Sequence, residues 1–116
     1  MAGSTPPPPP DQVMLSTTHD IPGKRTVKCF GIIFGQTVRT RGALGRFVAG
    51  FEALLGGRSE AYLTELEKAR REALDDMLAK ASALGANGVI GVDFDVSEVL
   101  EGFVVVTATG TAVYAE

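Results

Sequence analysis

Apolar residues between positions 60 and 84 recur at three-and-four spacing: Tyr62, Leu63, Leu66, Ala69, Ala73, Leu74, Met77, Leu78, Ala81 and Leu84. That period predicts one long amphipathic helix with a single apolar stripe. Ser59 is suited to cap its start, because a serine hydroxyl accepts from a free first-turn amide. Glu60 adds negative charge at the positive end of the helix dipole. Gly85 stands where a helix is commonly closed by a left-handed residue. Glu67, Lys68, Arg71, Glu72 and Asp75 fill the polar side and read as a solvated face, with Lys68 and Glu72, and Arg71 and Asp75, one turn apart.

Past Asn87-Gly88 the period changes to two. Ile90, Val92, Phe94 and Val96 alternate with Val89, Gly91, Asp93 and Asp95, which predicts a strand. A turn near residues 98–102 leads into residues 103–114, rich in valine and threonine, so the two segments form a hairpin that ends the chain. Upstream, residues 26–38 (TVKCFGIIFGQTV) are β-branched and aromatic and predict another strand, with Gly31 and Gly35 as bulges or points of close approach. Residues 15–18 add a short strand ahead of the Ile21-Pro22-Gly23 turn. Phe47, Phe51, Leu54 and Leu55 suggest a short second helix, weakened by Gly42, Gly45 and Gly50.

A chain of 116 residues holds one domain at most. Residues 1–12, with five consecutive prolines, read as a disordered proline-rich tail, leaving 13–116 as the domain. There is no signal-peptide pattern and no run of about 20 apolar residues, so no membrane partner is expected. A single cysteine excludes an intrachain disulfide framework and agrees with a cytoplasmic location. A net charge of −3 argues against nucleic acid, whose binding rests on neutralising phosphates.

Two strands carry apolar residues on both faces. In the last, Phe103, Val105 and Val113 stand opposite Val104, Val106, Ala108, Ala112 and Tyr114; in the first, Val27, Cys29 and Ile33 stand opposite Phe30, Ile32 and Phe34. A sheet face left in water alternates more cleanly. Either the shorter helix covers the second face or another subunit does, and a homo-oligomer is the expectation.

The Leu15-Ser16-Thr17-Thr18 segment, the strand around Phe30-Gly31-Ile32-Ile33, the Gly56-Gly57-Arg58-Ser59 turn, the Ala83-Leu84-Gly85-Ala86-Asn87-Gly88-Val89-Ile90-Gly91-Val92-Asp93 passage and the close of the chain resemble the YbjQ family. These are small bacterial and archaeal proteins that carry a heavy-metal-binding label, and the resemblance runs from Met14 onward. It implies an α+β fold: a β-α-β-β two-layer domain, an antiparallel sheet packed on one long helix, related in shape to dodecin subunits. It also implies assembly as a homo-oligomeric, pentameric ring.

Ligand chemistry tests the metal label. Soft metals take several thiolate and imidazole groups, and this chain has one Cys and one His. Cys29 reads as a small buried hydrophobe in a strand, unless ring symmetry gathers one copy from each subunit. His19 reads as a turn residue rather than a ligand. Asp93 and Asp95, two apart on a strand, face one way about 6.5–7 Å apart. They suit a hard-cation site completed by another subunit, a carboxylate pair for hydrolysis, or simply a solvated strand face. Arg58 and Ser59 in the turn before the helix could hold an anion or serve as a cap with an interface ion pair.

No Ser/His/Asp or Cys/His constellation accompanies the aspartates, so no enzyme is expected. The leading expectation is an oligomeric binding protein holding a metal ion or small ligand between subunits, the cofactor itself unidentified. The competing one is a structural ring that presents its N-terminal tails to a protein partner.

Overall fold

The computed structural model describes residues 8–40, 60–100 and 102–116. Four strands and one long helix make an α+β domain: β1 (Met14–Leu15), β2 (Thr26–Thr40), α1 (Glu60–Leu84), β3 (Gly88–Leu100) and β4 (Phe103–Ala115), preceded by a short 3-10 turn at Pro10–Gln12. The sheet order is β1-β3-β4-β2. β4 is central and antiparallel to both neighbours, so β2 and β3 run parallel to each other on either side of it, joined across the helix layer. The sheet is mixed rather than antiparallel, because β1 pairs parallel to β3 through Met14 with Gly88 and Leu15 with Val89. The expected short strand thus begins one residue early, and the backbone of Ser16 and Thr18 continues the contact with Val89, Gly91 and Val92. The expected short helix and the Gly56-Gly57-Arg58-Ser59 turn lie outside the described residues, as does the Tyr62 side chain.

The helix stops as its sequence predicts. Gly85 takes φ +88°, where any side chain would crowd the backbone. Its amide donates to Ser82 and the Ala86 amide to Ala81, the paired bonds that satisfy the last carbonyls of a helix. Asn87 follows and fastens the helix end to the sheet. Its side-chain amide donates to the Ala115 carbonyl (2.7 Å), and its side-chain oxygen accepts from the Ala115 amide (2.8 Å).

The buried seam of α1 is narrow, three alanines and one methionine spaced four apart: Ala69, Ala73, Met77 and Ala81. The sheet answers with Gly35 on β2 and Ala108, Gly110 and Ala112 on β4. A Cβ built on Gly35 would collide with the Ala73 carbonyl and the Met77 backbone, so this glycine is a point of close approach. Leu66, Leu74 and Leu78 flank the seam half-buried, while Leu63 and Leu84 are exposed. The apolar stripe is therefore wider than the contact it makes within one chain.

Register shifts redistribute the strand side chains. On β3, Ile90 pairs with Thr111 and Asp93 with Thr109, so Gly91 and Val92 together oppose one residue, and Gly91 takes φ +63°. Ile90 consequently shares a face with Asp93 and Asp95, not with Val92 and Phe94 as simple alternation predicts. On β2 one shift falls between Thr26 and Lys28 and another between Cys29 and Gly31. The second puts Phe30 and Ile33 on the helix side, and Cys29, Ile32 and Phe34 on the other.

Residues 8–12 are not wholly free of the domain. Ser82 Oγ donates to the Pro8 carbonyl, and the Pro10–Gln12 turn lies against α1. At that end of the sheet Ile21, itself buried, folds over the outer face against Gly88 and Val113.

Candidate functional site

The sheet face turned away from α1 carries most of the candidate chemistry. Cross-strand register arranges it in rows. Ile32, Thr111 and Ile90 form one row, Phe34, Thr109 and Asp93 the next, then Gln36, Thr107 and Asp95, then Val38, Val105 and Ser97. Gln36 Nε2 donates to Thr107 Oγ1 at 3.1 Å. The face thus grades from an apolar strip on β2, through a threonine ladder on β4, to two exposed carboxylates on β3. Val92 and Phe94 turn toward the core, which is why Asp93 and Asp95 turn outward.

Cys29 pairs with Val113 on this same face and is exposed rather than buried. The helix covers the opposite face, and the bulge at Gly31 keeps Cys29 out of the core. Four residues along β4 separate its row from that of Asp93, about 13 Å, and two strand spacings add about 10 Å across. One metal ion cannot bridge that gap, since its ligands lie within about 2.6 Å of it. His19 is exposed in the segment after β1, where Ser16, Thr18 and Asp20 make local hydrogen bonds. Among the described residues no three of His, Cys, Asp and Glu are grouped to hold a metal ion. Arg58 and Ser59 lie outside the described residues.

A second constellation joins β2 to α1. Arg39 Nε donates to Glu65 at 2.9 Å and its Nη2 approaches Glu72 at 2.9 Å, while Thr37 Oγ1 donates to the same Glu72 oxygen. Burial works against the Arg39 charge, but hydrogen bonds to Glu72 and Glu65 outweigh it and raise its pKa. The bond from Arg39, helped by Thr37, holds the Glu72 carboxyl below its ordinary value. Farther along, the Gln36 amide donates to Asp76 Oδ2 (3.0 Å), and Lys80 Nζ donates to the Phe34 carbonyl (2.8 Å) and pairs with Asp76 at 3.2 Å. The Gln36 amide, then Lys80, lower the Asp76 pKa. Glu72 was expected on a solvated face; here it is half-buried and engaged across the fold, and among the helix pairs Arg71 faces Glu67, at 4.0 Å. Helical spacing alone could not show this, because the partners lie on another strand.

An open apolar groove of about 200 Å³ lies between α1 and the β1–β3 side, lined by Leu15, Ser16, Thr17, Leu74, Val92 and Phe94. It is smaller than an ordinary small-molecule pocket and nearly devoid of polar groups that would orient a ligand. Among the described residues no helix is long and apolar enough to cross a membrane.

These features define a small α+β domain with polar chemistry spread over an open sheet face and no grouped set of metal ligands among the described residues. A family model described as "Putative heavy-metal-binding" matches residues 13–116, and the chain belongs to this YbjQ family. Its relatives include the UPF0145 protein of Thermoplasma acidophilum, 44% identical over 106 residues, which cover 91% of this chain and 88% of that one. Those of Sulfurisphaera tokodaii (41%, covering 87% and 89%) and Clostridium kluyveri (42%, covering 90% and 100%) are alike. The fold is similar to the crystal structure of a DUF74-family protein of unknown function from Pediococcus pentosaceus. That match has a TM-score of 0.60 at 14% identity and covers 90% of this chain and 98% of that one.

Proposed function

We propose that this chain is the subunit of a cytoplasmic homo-oligomeric ring, of five copies, that binds a metal ion or small ligand between subunits and is not an enzyme. The observation that carries the reading is the uncovered apolar strip of β2. Ile32 is 69% exposed, Phe34 51% and Val38 54%, and they share one face, Ile32 beside Phe34 and Val38 beyond Gln36. Isolated exposed apolar residues are ordinary, but several along one face of one strand, among polar residues, are how an interaction surface is built. The half-used leucine row of α1 and the groove against β3 supply a second apolar surface on the other side of the subunit. Two unlike surfaces favour head-to-tail contacts, which close into rings.

The donor set supports a shared site over a private one. Among its described residues, the outer face of one subunit offers Asp93 and Asp95 on β3 and a distant thiol, few donors for either a hard or a soft cation. Repetition about an axis multiplies each. Native mass spectrometry of the full chain tests the assembly: a single species of five copies is expected, and a monomer at micromolar concentration would refute the ring.

A further inference from the structure

The two edges of the sheet are finished differently. On one side, β1 covers only the beginning of β3. On the other, β2 is a long edge strand, and its outward backbone is met at the centre by side chains of α1. The Phe34 carbonyl accepts from Lys80 Nζ, and the Gln36 amide donates to Asp76. These two backbone groups, flanking Gly35, are the pair that one residue of a parallel neighbouring strand would engage, giving its N–H to the first and its C=O to the second. Lys80 supplies the donor and Asp76 the acceptor. They stand one helical turn apart and are locked together by their own 3.2 Å ion pair. Lysine at a strand edge is a known safeguard against edge pairing, and here both groups are occupied rather than merely shielded by charge.

We infer that the β2 edge is a latent strand-accepting surface, held shut by the Asp76 and Lys80 pair, and that its occupant when open is β3 of a second copy. The argument for this occupant is direction. β2 and β3 of one subunit are parallel, so a second subunit placed in line to continue the sheet brings its β3 alongside β2 in the parallel sense that the capped groups fit. Such addition repeats without closing and yields filaments rather than rings. The cap therefore separates a finite assembly from an open one. This inference goes beyond the ring reading and does not depend on it.

The test uses the full chain with Asp76→Ala and Lys80→Ala combined, beside Asp76→Asn, which keeps a carbonyl acceptor. At concentrations too low for the variant to grow, exchange of the Gln36 amide should accelerate about tenfold or more in the double variant, the loss expected for a bond to a charged group, and stay near wild type in Asp76→Asn. Light scattering should show the double variant growing to larger species with concentration while wild type keeps one size. Unchanged Gln36 exchange at those low concentrations, or a folded double variant that keeps the wild-type size at every concentration, would overturn the inference. Should the double variant fail to fold, Lys80→Ala alone leaves the Phe34 carbonyl open, and its size series decides in the same way. A monomeric wild type would defeat the ring and leave this comparison of variant with wild type intact.

Discussion

Val105 and Val106 are neighbours in β4 that report on opposite halves of the molecule. Val106 faces α1, is 1% exposed and belongs to the core with Ala73, Met77 and Ala108. Val105 faces away, half-buried beside Val38 and Ser97. The difference is one of packing partner. The inner face is closed by the chain's own helix, which sits so low on Gly35 and the alanines that nothing larger fits. Among the described residues, the outer face has Ile21 at one end and, for the rest of its length, only its own side chains. Intrachain packing is thus concentrated on one face of a single sheet, and the exposed apolar side chains of β2, the surface proposed for association, lie on the other.

Placing a charge on each side breaks the comparison most forcefully. Val106→Asp buries a carboxylate with no partner, a change expected to exceed about 4 kcal/mol and to leave an unfolded chain by circular dichroism. Val105→Asp loses a cross-strand contact of about 1 kcal/mol or less, so the subunit should keep its fold while its oligomer dissociates in light scattering. A Val105→Asp oligomer of unchanged size would remove the outer face from the assembly. Gly35→Ala probes the inner face more gently. Its added methyl meets helix backbone that cannot easily give way, so unfolding in urea should show a loss of about 3 kcal/mol or more, the upper end for overpacked cores.

The two faces were unequally legible in the sequence. The helix, its glycine stop and the hairpin are local, set by spacing and turn chemistry, and they stand as expected. The bulges at Gly31 and Gly91 are not local in this sense. Each adds one residue against a partner strand, and together they move Ile90, Phe30 and Cys29 to faces that alternation assigns differently. Cys29 was expected to be buried because a strand cysteine usually is; the bulge and the one-sided helix decide otherwise. The outward direction of Asp93 and Asp95 was readable from period two, since both lie past the bulge. Arg39, Glu65, Glu72 and Asp76 gave no signal, because Gln36 and Asp76 are 40 positions apart and Thr37 and Glu72 are 35. The parallel β1 was hidden by its length of two residues.

Acid sharpens the same contrast, because the ionic contacts between β2 and α1 belong to the helix-covered half. Glu72 and Asp76 have folded pKa values below their ordinary 4.5 and 3.8. The unfolded chain therefore binds more protons in that range, and the stability these groups supply is complete above the ordinary values. It is lost as pH falls through them toward the folded pKa. Urea midpoints should hold level near neutrality and decline below about pH 4.5. In Arg39→Ala the decline should be shallower and the neutral plateau lower, because Glu72 loses the bond that depresses it most. An acid slope identical to wild type would detach Glu72 from Arg39 as the cause.

Replacing Asp93 and Asp95 together by Asn should produce the smallest effect on the fold and the most specific effect on the outer face. Both side chains are exposed beside Thr109 and Thr107, so their loss should shift unfolding by no more than about 0.5 kcal/mol. A hard cation held between subunits needs several negatively charged oxygens, and asparagine supplies only neutral ones. Titration calorimetry with Mg²⁺, Mn²⁺ and Zn²⁺ on the intact assembly should accordingly show saturable heat that disappears in the double variant, while Cys29→Ser diminishes only the Zn²⁺ signal. Heat retained without the carboxylates but lost with Cys29 would move the site to the other end of the sheet, where β2 and β4 meet at Val113. Absence of heat from all three metals in the wild-type chain would remove the metal from the reading altogether and leave the outer face as a surface for subunits alone.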